Sequence, residues 1–194
     1  VADIHFNYRI ALEAIEQEVD KIRINPGNMG ERGILSVANR AKDKGIPLRI
    51  GVNSGSLEKS LLDNNLGGRR VSTIKDKSHR QIMADAMVES ALRTTALLEE
   101  ELFGDIVISL KAADVLTTIL AYQTISDKTP YPLHLGVTAT GPCPQGIIKS
   151  SIGIGALLVQ GIGDTIRVSL TGSPLEEIEL AYGILQSLDL FKEK

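Results

Sequence analysis

Apolar positions along this chain follow two rhythms, and the alternation between them predicts its elements. Short apolar runs stand at 1–5 (VADIH), 20–25 (DKIRIN), 47–52 (PLRIGV), 105–111 (DIVISLK), 132–138 (PLHLGVT) and 164–170 (DTIRVSL), and each reads as a strand. Between them apolar side chains recur every three or four residues, the spacing of a helical face. Ile10, Ala14, Ile15 and Val19 follow a capping Asn7, and Ile34, Val37, Ala38 and Ala41 precede a stop at Gly45. Ala84, Val88, Ala91, Thr95, Leu98 and Leu102 mark a helix over 83–103. Val115, Ile119 and Tyr122 mark the next, and 148–160 reads as a helix of small residues. The last helix has Ser173 as N-cap, Pro174 in the first turn and Glu176 three residues after the cap; Leu175, Ile178, Tyr182 and Leu185 form its predicted buried face.

One stretch breaks the rhythm. Residues 56–82 are long and polar, with Gly67-Gly68 at the middle and Arg69, Arg70, Lys75, Lys77 and Arg80 giving them a basic character. Such a segment reads as a solvated insertion or a substrate lid. Apart from it, six strand–helix units repeat every ~25–30 residues, which is the grammar of a TIM-like (β/α)₈ barrel with about six units present. The strands read as apolar runs, as a parallel sheet covered by helices requires. An open doubly wound sheet is the competing arrangement, and its chemistry would gather at a single crevice.

Composition narrows the function more than the fold. The chain has 194 residues, 43% hydrophobic and 23% charged, so residues 1–194 fit one partial barrel domain. A net charge of −3 gives no support to nucleic-acid binding, so any basic site must be a local cluster. No apolar run reaches the ~18 residues of a membrane span, and no secretory signal opens the chain; a cytoplasmic setting follows as the expectation. The single cysteine, Cys143, rules out an internal disulfide or an all-cysteine metal site within the chain. It reads as an incidental thiol. Val1 already reads as mid-strand and Lys194 closes on a helix without further structure, so both ends of the barrel are expected to lie outside this sequence.

Polar side chains collect where the strands end. Asp3, His5, Arg23, Asn25, Arg49, Asn53, Lys111, Thr138, Arg167 and Ser169 occupy these positions, and among them a basic side chain or His comes from five of the six strands. In a barrel the strand ends converge, so these side chains predict a pocket for an oxyanion such as a phosphate. A scaffold of ion pairs is the plainer reading, but Asp20, Asp105 and Asp164 lie at strand starts, the opposite end. His5 reads equally as a hydrogen-bonded structural residue or as a site residue, and Asn25 and Asn53 as hydrogen-bond donors or turn formers. Lys149 and Ser150, near a predicted helix start, add to anion binding in this reading. Gly153 and Gly155 lie inside a helical pattern and read as close-packing positions rather than a dinucleotide fingerprint.

The segments VADIHFNYRIAL, RINPGN, RIGVNSGSLE, SLKAAD, PLHLGVT, IKSSIGIGALL and GIGDTIRVSLTGSPLEEI together resemble the 4-hydroxy-3-methylbut-2-enyl diphosphate synthases of the non-mevalonate isoprenoid route. The resemblance implies a TIM-like barrel whose mouth binds 2-C-methylerythritol 2,4-cyclodiphosphate for reductive ring opening and dehydration. By motif, Arg23, Arg49, Lys111, Arg167 and Ser169 would hold the diphosphate, and Asp3, His5, Asn25 and Asn53 the hydroxylated carbon chain. It further implies an oxidoreductase with a 4Fe–4S cluster, ferredoxin or flavodoxin as electron donor, and a homodimer. The sequence departs from the family in three ways. Two earlier strand–helix units and the C-terminal iron–sulfur domain of the family are expected to lie outside this sequence, with the cluster ligands, so the chain alone is expected to be inactive. A family glutamate in the pattern Thr-Glu-Ala-Gly is replaced, since the chain reads Thr138-Ala139-Thr140-Gly141. A hydroxyl on Thr140 does not replace a carboxylate as proton donor. The alternative is therefore a non-catalytic relative that binds a phosphate ligand without redox chemistry. Another phosphate-binding barrel enzyme rests on fold alone.

Overall fold

The computed structural model describes residues 1–58, 61 and 79–191. Its strands are β1 (Ala2–Ile4), β2 (Ile22–Ile24), β3 (Leu48–Asn53), β4 (Ile106–Lys111), β5 (His134–Leu135) and β6 (Thr165–Ile166). The helices are α1 (Tyr8–Glu16), α2 (Pro26–Met29), α3 (Glu31–Lys44), α4 (His79–Glu100), α5 (Val115–Ser126), α6 (Gln145–Leu158) and α7 (Pro174–Ser187), with a 3₁₀ turn at Ser54–Ser56. Every strand pairing is parallel: β1-β2-β3-β4 form one sheet and β5-β6 another, joined by a bridge from Ile108 to Leu133. Helical crossovers between consecutive parallel strands make this an α/β fold. Among the described residues β1 pairs only with β2 and β6 only with β5.

The period-2 geometry of a strand explains where the polar side chains go. Ile22 and Ile24, Leu48, Ile50 and Val52, Ile106, Ile108 and Leu110, and Leu133 and Leu135 all join the hydrophobic core with Ala11, Ile15, Ala38, Ala41, Met87 and Ala91 from the helices. The residues between them, Arg23, Arg49, Asn53, Ser109 and Lys111, line a cavity on the other face. The strands therefore alternate rather than run apolar throughout, because only one of their faces is packed by helices.

Caps match the sequence where a local signal set them. Asn7 accepts from Arg9 N at the start of α1, Gly45 ends α3 in the left-handed region at φ 66°, and Ser173 caps α7 ahead of Pro174. Other boundaries move. Helix α4 starts at His79 rather than residue 83 and ends before Leu102, which is exposed at φ 57°. Helix α6 starts at Gln145 rather than at residue 148. The predicted insertion 56–82 thus loses its last residues to α4; its residues 59, 60 and 62–78, including Arg69, Arg70, Lys75 and Lys77, lie outside those described. The buried face expected of α7 is largely exposed: Leu175, Ile178 and Tyr182 face solvent, and Ile184 is the helix's buried residue. Ile10 on α1 is exposed too. Periodicity identified these apolar faces, but no described element packs over them.

Candidate functional site

Asp3, His5, Arg23, Arg49, Asn53, Ser109, Lys111, Thr138 and Arg167 line a cavity of about 220 Å³ at the strand ends. They come from β1, β2, β3, β4 and the segments following β5 and β6. Arg23 organises one side. The residue is buried, 5% exposed, and its Nη1 donates to Asp3 Oδ1 at 2.9 Å and to His5 Nε2 at 2.7 Å, while Nη2 donates to the Gly51 carbonyl at 2.8 Å.

Among the described residues the remaining cations have no such partners. Arg49 Nε is buried without a hydrogen-bond partner among the described residues. Burial lowers the Arg49 pKa, Asp3 opposes this, and Arg23 and Arg167 add to the lowering. Lys111 is pushed from 10.5 to about 7, first by burial and then by Arg49, Arg167 and Arg23. Burial raises the Asp3 carboxyl, but Arg23, by charge and hydrogen bond, with His5 and Arg49, brings it below the ordinary carboxylate value. Four cationic side chains thus face one carboxylate, in a chain whose net charge is −3. Concentrated like charge of this kind is costly unless an anion shares the cavity.

Beneath this layer sits His134, buried on β5, its Nδ1 2.8 Å from Thr165 Oγ1 and its Nε2 unpartnered among the described residues. Burial and then Lys111, Arg49, Arg167 and Lys21 hold its pKa down to about 3, so it is neutral at ordinary pH. Tyr122 on α5 braces the same region: its hydroxyl accepts from Leu110 N at 3.0 Å and donates to the His134 carbonyl. Burial raises its pKa far above the normal phenol value.

Seven of the nine residues expected to bind substrate line this cavity, and two do not. Asn25 is fully buried and turned to the 3₁₀ turn, where Nδ2 donates to Ser56 Oγ at 2.9 Å. Ser169 lies outside the lining, its carbonyl accepting from the buried Thr140 hydroxyl. Thr138 joins the lining as expected, while Ala139 is exposed at φ 51°. Lys149 and Ser150 fall in the second turn of α6, since the helix begins at Gln145, and Ser150 Oγ is buried without a partner among the described residues. Gly153 is a close-packing position against Val137, whereas a Cβ added at Gly155 would meet open space. Sequence reading missed Ser109 and His134. Each shares the alternation parity of a chosen residue, Lys111 and Thr138 respectively, and that parity was the available signal.

A larger cavity of about 610 Å³ lies beside the first, lined by Ser54, Gly55, His79, Arg80, Met83, Ala112, Ala113, Asp114 and Thr117. Its arginine is paired with Asp114 at 3.0 Å, and Asp114 also caps α5 through Thr117. Its charge is thus internally compensated, and the chemistry belongs to the smaller cavity. Among the described residues no three His, Cys, Asp or Glu side chains converge as metal ligands, and the chain's one cysteine is exposed. The residues present therefore do not fit an iron–sulfur cluster. No described helix is long and apolar enough to cross a membrane.

A family profile described as GcpE TIM-barrel domain matches residues 1–182. The curated 4-hydroxy-3-methylbut-2-en-1-yl diphosphate synthase (flavodoxin) of Ruminiclostridium cellulolyticum is 54% identical over 194 residues, covering 100% of this chain and 51% of that protein. The protein of that name from Caldanaerobacter subterraneus subsp. tengcongensis is 55% identical over 194 residues, with 100% and 51% covered. The chain spans about half the length of the curated relatives it matches. Among solved structures, an N-acetylneuraminic acid synthetase of Leptospira borgpetersenii aligns at TM-score 0.37 and 11% identity, covering 97% of this chain and 82% of that one.

Proposed function

Because the chain belongs to the GcpE TIM-barrel domain family, we propose that it is the substrate-holding part of a 4-hydroxy-3-methylbut-2-enyl diphosphate synthase. In this reading the six strand–helix units are part of a closed (β/α)₈ barrel, and the cavity binds 2-C-methylerythritol 2,4-cyclodiphosphate. The observation that carries it is the cluster of Arg23, Arg49, Lys111 and Arg167 around one carboxylate, with Arg49 Nε buried and unpartnered among the described residues.

Each side chain has a physical task. Arg49, Lys111 and Arg167 neutralise the diphosphate, and Arg23 adds charge from a guanidinium already fixed by Asp3 and Gly51. Asn53, Ser109 and Thr138 offer neutral hydrogen bonds to the substrate's hydroxyl groups, with His5 and Asp3 on the β1 side. Asn25 contributes by pinning the turn that follows Asn53, and Ser169 by anchoring the Thr140 loop. The 4Fe–4S cluster that the family implies has no ligand set among these residues, so the chain's own part is binding and orientation. A flavodoxin donor, named for the relatives, a homodimer and a cytoplasmic setting complete the proposal.

Isothermal calorimetry with the cyclodiphosphate, on the whole protein and its Arg49→Met variant, tests the reading. Removing one charge-assisted contact lowers affinity about ten- to hundredfold; unchanged affinity contradicts it. A second reading, a relative that binds the ligand without turning it over, is favoured by Ala139, because the cavity's lone carboxylate, Asp3, is already paired with Arg23. Turnover that appears only with Ala139→Glu supports this second reading, and turnover without that change excludes it.

A further inference from the structure

Two positions on the polar face of the strands carry glycine where neighbouring positions carry side chains. They are Gly51 in β3 and Gly136, just beyond β5. Neither has a positive φ, so no backbone conformation demands glycine there. What demands it is space. A Cβ on Gly51 would lie 1.9 Å from Arg23 Nε and 2.7 Å from its Cζ and Nη2. On Gly136 it would lie 3.1 Å from Lys111 Cε, 3.2 Å from Nζ and 2.7 Å from the Arg167 carbonyl oxygen. The other crowded glycines meet no side chain of the cavity: Gly33, Gly153 and Gly163 face Tyr8, Val137 and Leu135, and Gly27, Gly146 and Gly172 face Ser56, Gly141 and Glu176.

We propose that Gly51 and Gly136 are positioning residues of the anion site: the bare strand backbone at each lets Arg23 and Lys111 lie flat across the polar face. Arg23 crosses the β3 backbone at Gly51 to reach its carbonyl at 2.8 Å, and from there its Nη1 meets Asp3. A methyl at that point blocks the middle of the side chain, Nε and Cζ, which cannot be avoided by turning the tip alone. The guanidinium must leave the cavity side or the strand must move. At Gly136 the obstructed atoms are the far end of a flexible lysine, which can shift by a few tenths of an ångström, together with one backbone oxygen. The effect is therefore graded, larger at Gly51 than at Gly136. This inference rests on the anion-binding reading of the cavity.

The test is a double-mutant cycle in the whole protein, read by calorimetry with inorganic diphosphate and by thermal melting. Gly51→Ala is expected to weaken diphosphate about tenfold or more, approaching Arg23→Ala, since both withdraw one charge-assisted contact. Gly136→Ala is expected to weaken it by less. In the Arg23→Ala background, Gly51→Ala is expected to change neither affinity nor melting temperature, because its steric partner is gone. Should Gly51→Ala alone fail to fold, recovery of a folded protein in the double variant supports the proposal, and an unfolded double variant overturns it. Wild-type affinity in folded Gly51→Ala beside a weakened Arg23→Ala overturns the positioning role while leaving the anion site standing. Unchanged affinity in Arg23→Ala removes the anion reading and this inference with it.

Discussion

Lys111 makes the anion reading quantitative, because the burial that weakens its charge gives opposite pH dependences to stability and binding. Its pKa falls from 10.5 to about 7, through burial and three neighbouring guanidinium groups. At roughly 1.4 kcal/mol per pH unit, the protonated side chain carries a penalty of about 5 kcal/mol. Water in the open mouth reduces what is observed to about 2–3 kcal/mol. The sign follows from proton counting. With the folded pKa below the unfolded one, the unfolded chain binds more protons between pH 7 and 10.5, so stability rises with pH across that window and is lowest below 7. Lys111→Met removes the penalty with little change in volume. The variant should melt about 5–10 °C higher than the parent at pH 6, with the gap narrowing towards pH 9. Diphosphate binding should run the other way. A bound anion restores the ammonium, so the parent takes up a proton on binding above pH 7. Its advantage over Lys111→Met should then be largest at pH 6, about ten- to hundredfold, and shrink as pH rises. Dividing parent by variant affinity at each pH removes the titration of diphosphate itself. A variant that melts lower at pH 6, or an affinity ratio that does not change with pH, refutes the reasoning.

Two further outcomes follow from the same geometry. Tyr122→Phe leaves Leu110 N and the His134 carbonyl without the hydroxyl they share, and should cost about 1–3 kcal/mol in urea unfolding while diphosphate affinity stays within about threefold. Asn25→Ala should likewise lower stability by about 1–2 kcal/mol through loss of the Ser56 contacts, and its effect on diphosphate affinity should be far smaller than that of Arg49→Met.

How much of this was written in the sequence depends on the range of the interaction. Signals confined to one turn were legible: Asn7, Gly45 and Ser173 cap or stop the helices they were assigned to. The strand-end cations were legible too, because alternation places Arg23, Arg49 and Lys111 opposite the apolar residues on either side of them. Contacts between distant residues were not. Nothing local announces that Asn25 turns to Ser56, 31 residues away, or that Gly51 is glycine because Arg23 lies across it. His134 was passed over because, read alone, a histidine in an apolar strand carries no sign of the cations above it. The exposed face of α7 shows the reverse limit: periodicity finds Leu175, Ile178 and Tyr182, but burial depends on what packs there.

The central claim is that a diphosphate sits among Arg23, Arg49, Lys111 and Arg167. A crystal structure of the whole protein soaked with 2-C-methylerythritol 2,4-cyclodiphosphate tests it most directly. The account predicts both phosphorus atoms in the 220 Å³ cavity, with an oxygen accepting from the buried Arg49 Nε. Phosphorus density in the larger cavity beside the Arg80–Asp114 pair, with the smaller cavity empty, would contradict it.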